Sequence, residues 1–223
     1  LSDYEEMISG KTGALFKSGV DILVEDHLHD SEYMQDEREK IRGLFDEYMT
    51  SFNRLFQSGD DAIEVFRPEN IGKSVTDISN RKITFPAIQT KEHLQQEGDE
   101  YAELFLDVFD GAYDEVTSEM QSTAEEMHQE AMQKDEVKEE VFEDSQEMDL
   151  TISEDAEAGG EWEEKWITNA IRMYGKEASD SVAGDYLETA FSAVDQLYEM
   201  DVINDAAREK YRQMAEFVWN RDH

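Results

Sequence analysis

Within residues 56–86, FQSGDDAIEVFRPENIGKSVTDISNRKITFP, acidic and basic side chains fall at spacings that suit a metal–phosphate group. Asp60, Asp61 and Glu64 lie at i, i+1 and i+4. On a helix the first and last of these share a face about one turn apart and can approach one cation. Their hard oxygens suit Mg2+, which keeps several waters and is usually completed by substrate phosphates. Lys73 and Lys82 follow in the chain, and Lys11 precedes them on another segment. Metal ions neutralise phosphate oxygens while ammonium groups add point charges, so this set is equipped for a magnesium-diphosphate group. A D-D-x-x-E run also arises in any strongly acidic helix as a solvated face, and the motif alone does not separate the two.

The elements that must hold these residues are helical. Residues 1–29 place Tyr4, Met7, Ile8, Leu15, Phe16, Val20 and Leu23 mostly three and four apart, an amphipathic helix with close-packed positions at Gly10 and Gly13. Residues 33–66 repeat the pattern through Ile41, Leu44, Phe45, Met49, Phe52, Leu55, Phe56, Ile63 and Phe66. A polar loop from Arg67 to Lys82 follows, and Pro68 and Pro86 bracket this one irregular region. Residues 83–110 are helical again, with Leu104, Phe105, Val108 and Phe109 as the expected buried set. The stretch 111–148 is helix-prone but acidic, and 149–160 reads as a linker ending at Gly159-Gly160. Later helices carry Trp166, Ile167, Ala170, Ile171 and Tyr174, then Val182, Tyr186, Leu187, Ala190, Val194 and Leu197. The last carries Ala207, Tyr211, Met214, Phe217 and Val218. With no β-alternation of useful length and no internal repeat, the expected class is all-α.

Bulk composition narrows the function further. The 223 residues suffice for one sizeable core. There is no cysteine, which excludes a disulfide scaffold and a thiol nucleophile. No apolar run approaches the roughly 20 residues that span a bilayer, so stable membrane insertion is not expected. Acidic residues number 56 against 20 basic ones, a formal net charge of −36, which argues against nucleic acid as a partner. Such a charge fits either a disordered, solvating chain or a folded protein of a salt-rich cytoplasm. At 1 M salt the Debye length falls to about 3 Å, so self-repulsion there is weak. Helical periodicity at both ends of the chain favours the folded, cytoplasmic reading. The chain opens at Leu1 in what reads as the middle of a helix, with no leader pattern, so further sequence is expected upstream.

Several short elements occur in one order: Lys11-Thr12-Gly13, then Phe56-Gln57 ahead of Asp60-Asp61, then Gly72-Lys73, Asp77, and Lys82 with Thr84 and Pro86. In this the chain resembles the trans-isoprenyl diphosphate synthases, the polyprenyl synthetase family, in their C-terminal portion. The resemblance covers residues 1–91 and extends to 161–223 through Tyr174-Gly175, Ala178, Tyr186, Ala190 and Arg221. It implies a multi-helix isoprenoid synthase-type bundle lacking its N-terminal helices. It also implies one domain over 1–223 with an acidic insertion at about 92–160. By that resemblance Asp60 and Asp61, with Glu64 nearby, bind Mg2+; Lys11, Lys73 and Lys82 hold the diphosphate; and Thr12 and Gln57 line the same cavity. The implied reaction condenses isopentenyl diphosphate with an allylic diphosphate to a geranylgeranyl or longer diphosphate. The partners implied are those substrates and a second copy in a homodimer. With the charge, the resemblance points to a halophilic archaeal source.

The chain departs from the family pattern in three places. Glu64 stands where the motif has a third aspartate, and the steps to Lys73 and from Lys73 to Asp77 are each one residue short. Nothing in the chain supplies the family's first aspartate-rich motif or the arginine pair after it, which implies that this segment alone is inactive. Two other readings therefore stay open: a non-catalytic synthase-like regulatory subunit, and an acidic helical interaction protein. Apolar faces around Leu15, Phe16, Phe52 and Phe56 suit either a dry pocket for a growing chain or plain core packing. His27 and His29, two residues apart, fall on different helix faces and read as a polar helix end rather than a metal pair.

Overall fold

A computed structural model describes residues 1–29, 33–66, 82–97, 99–110 and 161–220, together with positions 77, 80, 120, 122, 123, 126, 127 and 129. Among the described residues all regular structure is helical, as the periodicity requires. In chain order the elements are α1 (Ser2–Ile8), a π-helical turn (Ser9–Gly13), α2 (Ala14–His29) and α3 (Gln35–Phe66). They continue with α4 (Phe85–Glu97), α5 (Asp99–Asp110), α6 (Glu161–Ala170), a second π-helical turn (Ile171–Gly175), α7 (Lys176–Glu199) and α8 (Asp205–Asn220). No helix among the described residues is long and apolar enough to cross a membrane. The linker at 149–160, Arg221, and the side chains of Leu23, His27 and His29 lie outside the described residues, as does most of 111–148. The chain forms two compact units, Leu1–Asp60 with Asp180–His223, and Asp61–Ser179.

In the first unit the helix expected over residues 1–29 is real, but it changes register at Ser9–Gly13. A π-helical turn spends one residue more than an α-turn, which rotates everything after it by about 100°. The stripe that begins at Tyr4 and Ile8 therefore continues through Phe16, Val20, Val24 and Leu28. Of these, Tyr4, Ile8, Val24 and Leu28 are buried. Leu15, which unbroken periodicity puts inside, is 73% exposed, and Met7 is exposed as well. Of the two glycines expected to be close-packed, Gly13 is: a β-carbon there would lie 2.8 Å from Asn53 Nδ2. Gly10 has open space around it.

Helix α3 buries Ile41, Leu44, Tyr48, Phe52 and Leu55 within this unit, at spacings of three and four. Each such side chain contributes about 1.5–3 kcal/mol relative to exposure. Tyr48, which the sequence pattern passes over, donates its hydroxyl to the Tyr211 carbonyl at 2.9 Å and packs edge-on against that ring. Burial pushes its phenol pKa upward. Helix α8 turns Ala215, Val218 and Trp219 inward, and Val218 lies close enough that a β-carbon on Gly59 would sit 2.8 Å from its carbonyl oxygen. Met214 and Phe217, expected inside, are exposed, because α8 is apolar over a wider arc than its contact with α3 covers.

The α7–α8 connection is closed by local chemistry. Asp201 takes the left-handed conformation (φ 57°), and Val202 N–H donates to the Leu197 carbonyl at 3.0 Å, which ends α7. Asn204 Oδ1 accepts the Ala207 N–H at 2.9 Å and caps α8. Asp195 accepts from Arg208 Nε at 2.8 Å and from Arg212 at 3.1 Å. The Arg208 hydrogen bond, aided by the Arg212 charge, holds the Asp195 carboxyl below its ordinary value. The stabilisation is therefore complete above the unfolded carboxyl's pKa of about 3.9 and is lost as pH falls through the lowered folded value. These side chains are about one-third exposed, so the effect stays below about 1 kcal/mol. Asp195→Asn should lower the unfolding midpoint slightly at neutral pH and match the parent at about pH 2, which a thermal series over that range reads.

The second unit has its own core. Leu94, Leu104, Phe105, Val108, Phe109, Trp166, Ile167 and Ile171 are buried in one cluster, which includes the whole set expected in 83–110. Helix α4 and the second π-helical turn pack so closely that a β-carbon on Gly175 would lie 2.4 Å from Thr90 Oγ1 and 3.0 Å from the Pro86 carbonyl oxygen. Tyr174 donates its hydroxyl to the Met127 carbonyl at 2.7 Å. Arg172 Nε donates to the Val65 carbonyl at 3.1 Å, placing a cation on the last turn of α3.

Candidate functional site

The last turns of α3 carry Gln57, Asp60, Asp61 and Glu64 on one unbroken helix, so the expected i, i+4 relation of Asp60 to Glu64 holds in the backbone. Asp60 is exposed; Gln57, Asp61 and Glu64 are half-buried. Within the second unit, Asp61 Oδ2 accepts the Phe85 N–H at 2.9 Å. Phe85 is the first residue of α4, so its N–H has no acceptor inside its own helix. The neighbouring Thr84 hydroxyl, the residue type expected to cap here, is buried without a hydrogen-bond partner among the described residues. Asp61 thus caps α4 from a different helix, 24 residues away in sequence.

Glu64 makes a similar bond: its Oε1 accepts the Asp77 N–H at 2.7 Å. Asp77 in turn pairs through its carboxylate with Lys82 Nζ, and its carbonyl accepts the Lys82 N–H at 2.9 Å. The hydrogen bond and charge of Asp77, with the further charges of Glu64 and Asp61, raise the Lys82 pKa and keep its ammonium protonated. The structure therefore brings Asp61, Glu64 and Lys82 together around Asp77. This is a cation paired with one carboxylate, Asp77, and under the charge of two more that each accept a backbone N–H.

In the first unit, Lys11 and Thr12 lie in the π-helical turn Ser9–Gly13, Lys11 exposed and Thr12 half-buried. Such insertions recur at functional sites because they re-aim the side chains they carry. Phe16 packs edge-on against Phe52 and Phe56 with ring centroids 5.9 and 6.0 Å apart, so three of the four apolar residues named for a pocket serve packing, while Leu15 points to solvent. An apolar cavity of about 230 Å³ lies closer to the start of α3, lined by Val20, Val24, Phe45, Tyr48 and Met49 among others. Lys73 lies outside the described residues. Sequence reasoning missed Asn53 and Arg172; both reach backbone carbonyls distant in the chain, and no local pattern announces that.

These features define an all-helical protein with a carboxylate–lysine cluster at the end of α3, the longest helix among the described residues. A family model described as polyprenyl synthetase matches residues 1–120, more than half of the chain, and the chain belongs to that family. No curated protein and no solved structure gives a match. Prenyl transfer is the activity of the family, which is typically Mg2+-dependent. Among the described residues no three His, Asp or Glu side chains form a ready-made metal site. Mg2+ is ordinarily bound through one or two carboxylates and completed by water and substrate phosphate. The hard oxygens on the last turns of α3 fit that ion in kind.

Proposed function

We propose that the chain is part of a prenyl transferase that condenses isopentenyl diphosphate with an allylic diphosphate to a geranylgeranyl or longer product. In this reaction the allylic C–O bond breaks and its electron pair leaves with the diphosphate. The isopentenyl double bond adds to the resulting carbocation, and a proton is lost. The observation that carries the reading is the cluster of Asp61, Glu64 and Lys82 within the residues that the family model matches.

Each residue has a role in this reading. Asp60 and Asp61, with Glu64 nearby, would hold Mg2+, which supplies charge neutralisation at the departing diphosphate. Lys82 and Lys73 bind diphosphate oxygens, as does Lys11, while Thr12 and Gln57 orient them. Lys82 exchanges its Asp77 partner for phosphate when substrate arrives, a swap made easy by its exposed position. The acidic surface suits work in a salt-rich cytoplasm, where about 3 Å of screening length quiets it. The complete protein acts as a homodimer.

Protein made from the complete coding sequence, folded in high salt and given both diphosphates with Mg2+, should release pyrophosphate and form a longer prenyl diphosphate. Absence of product from folded protein would overturn the reading. A second reading, a non-catalytic synthase-like subunit, is favoured by one observation: Asp61 and Glu64 each bind a backbone N–H and so have structural work without any metal. In that case the same assay stays silent, and added chain alters the turnover of a complete synthase instead.

A further inference from the structure

Asn53 stands out as an amide on the buried face of α3, 1% exposed, where an apolar residue would pack with less penalty. Its Nδ2 donates to the Ile8 carbonyl at 3.3 Å. Its Oδ1 is buried without a partner among the described residues, so the side chain is held here for the donor it presents rather than for a satisfied network. Ile8 is the residue immediately before the π-helical turn. In an unbroken α-helix its carbonyl would accept the Thr12 N–H. A donor from α3 at that carbonyl is what lets the ladder open by one residue at this point.

Gly13, the last residue of the same turn, completes the fit. A β-carbon on it would lie 2.8 Å from Asn53 Nδ2 and 3.3 Å from Asn53 Cγ, so glycine leaves the room in which the amide reaches past the turn to Ile8, and a larger residue would push the amide aside. Neighbouring contacts fix α1 one turn earlier. Arg54 donates to Glu5 at 2.9 Å, and the Tyr186 hydroxyl donates to the other Glu5 oxygen at 2.7 Å. Asn53 is thus the contact at the turn itself, and the Glu5 pair anchors the helix leading into it.

We propose that Asn53, acting with Gly13, is a positioning residue that holds the π-helical turn open and so sets the presentation of Lys11 and Thr12. Its functional consequence rests on the reading of those two residues as diphosphate ligands; the conformational consequence does not. The turn also fixes which face of α2 is buried, so the same hydrogen bond links the register of the first helix to the placement of the lysine.

The test compares the full chain with Asn53→Ala and with Asn53→Leu, which keeps the volume and removes the donor, so that one folded variant is secured. Amide hydrogen exchange is read over residues 9–14, with α7 and α8 as internal controls. Binding of inorganic pyrophosphate with Mg2+ is read by calorimetry. Loss of one buried hydrogen bond should speed exchange about tenfold across the turn while leaving α8 within about twofold. Gly13→Ala should reproduce that signature alone and add little in the Asn53→Ala background, where the clashing amide is gone. Pyrophosphate affinity should fall by about tenfold in each variant. Unchanged exchange at the turn, or acceleration spread evenly over the unit, would overturn the proposal. Local acceleration in the variants, together with a parent chain that binds no pyrophosphate, would leave the clamp standing and remove the diphosphate reading instead.

Discussion

Replacing Gly175 by alanine is expected to destabilise the second unit by about 3 kcal/mol or more. The new methyl would lie 2.4 Å from Thr90 Oγ1, 3.0 Å from the Pro86 carbonyl oxygen and 3.3 Å from Ile171 Cγ2. None of these neighbours yields readily. Thr90 is fully buried and donates its hydroxyl to Pro86 O at 2.8 Å, so rotating it away breaks that bond and strands a buried hydroxyl. The Pro86 carbonyl is backbone in the first turn of α4, where proline fixes its own φ. Ile171 is fully buried in the cluster that includes Leu94 and Trp166. The remaining escape is to separate α4 from the π-helical turn, which opens the core.

A loss of that size is a large share of a typical net stability of about 5–15 kcal/mol. At this chain length it should lower the melting midpoint by roughly 6–12 °C. Thr90→Ala removes the nearest of the three clashes, so Gly175→Ala should cost less in that background than in the parent, and a double-mutant cycle reads the difference. A midpoint for Gly175→Ala within about 2 °C of the parent would contradict the close approach of α4 on which the argument depends.

What the amino-acid pattern discloses divides along a physical line. Periodicity reports which residues lie on one face of a regular helix. It therefore placed α3 and α5 well, with Ile41, Leu44, Phe52 and Leu55 on one and Leu104 to Phe109 on the other. It fails where the ladder itself changes. Counting through Ser9–Gly13 as an α-helix puts Leu15 inside, whereas the extra residue of the turn hands that place to Phe16 and later to Val24 and Leu28. The cause is Asn53, 40 residues beyond Gly13, and no local window contains both. Amphipathicity also fixes only the direction of burial, not its width, which is why Met214 and Phe217 stay exposed on an α8 whose inner face is Ala215, Val218 and Trp219.

The candidate site shows the same division. The types and order of Asp61, Glu64 and Lys82 were legible because charge and spacing are local properties. The hydrogen bonds of the two α3 carboxylates were not, because each joins α3 to backbone 13 or 24 residues away. A carboxylate is an equally good acceptor for a helix N-terminus and ligand for a hard cation, so residue type cannot say which use it serves. Only the geometry reveals that Asp61 already has the first, and only an experiment that separates charge from hydrogen bonding can reveal the second.

Asp61→Asn makes that separation and should lower kcat/KM of the complete enzyme by about a hundred- to a thousand-fold while leaving stability nearly unchanged. An asparagine Oδ1 still accepts the Phe85 N–H, so the cap on α4 survives. The negative charge that would hold Mg2+ against the diphosphate does not survive. Asp61→Ala removes both and should add a stability loss of about 0.5–2 kcal/mol from the uncapped helix start. Asp60→Ala supplies the complementary case. Asp60 is exposed, so its loss should leave the unfolding midpoint where it was and still depress turnover to a similar degree. Kinetics of the three variants in high salt, each paired with a thermal unfolding curve, give the answer. If Asp61→Asn turns over within about threefold of the parent while Asp61→Ala is merely less stable, the carboxylate is a helix cap alone. The metal-binding role proposed for Asp61 is then overturned, while the turnover itself still supports the transferase. If both Asp61→Asn and Asp60→Ala are silent yet fully folded, the charge itself is what the chemistry requires, and the cap is a second use of the same side chain.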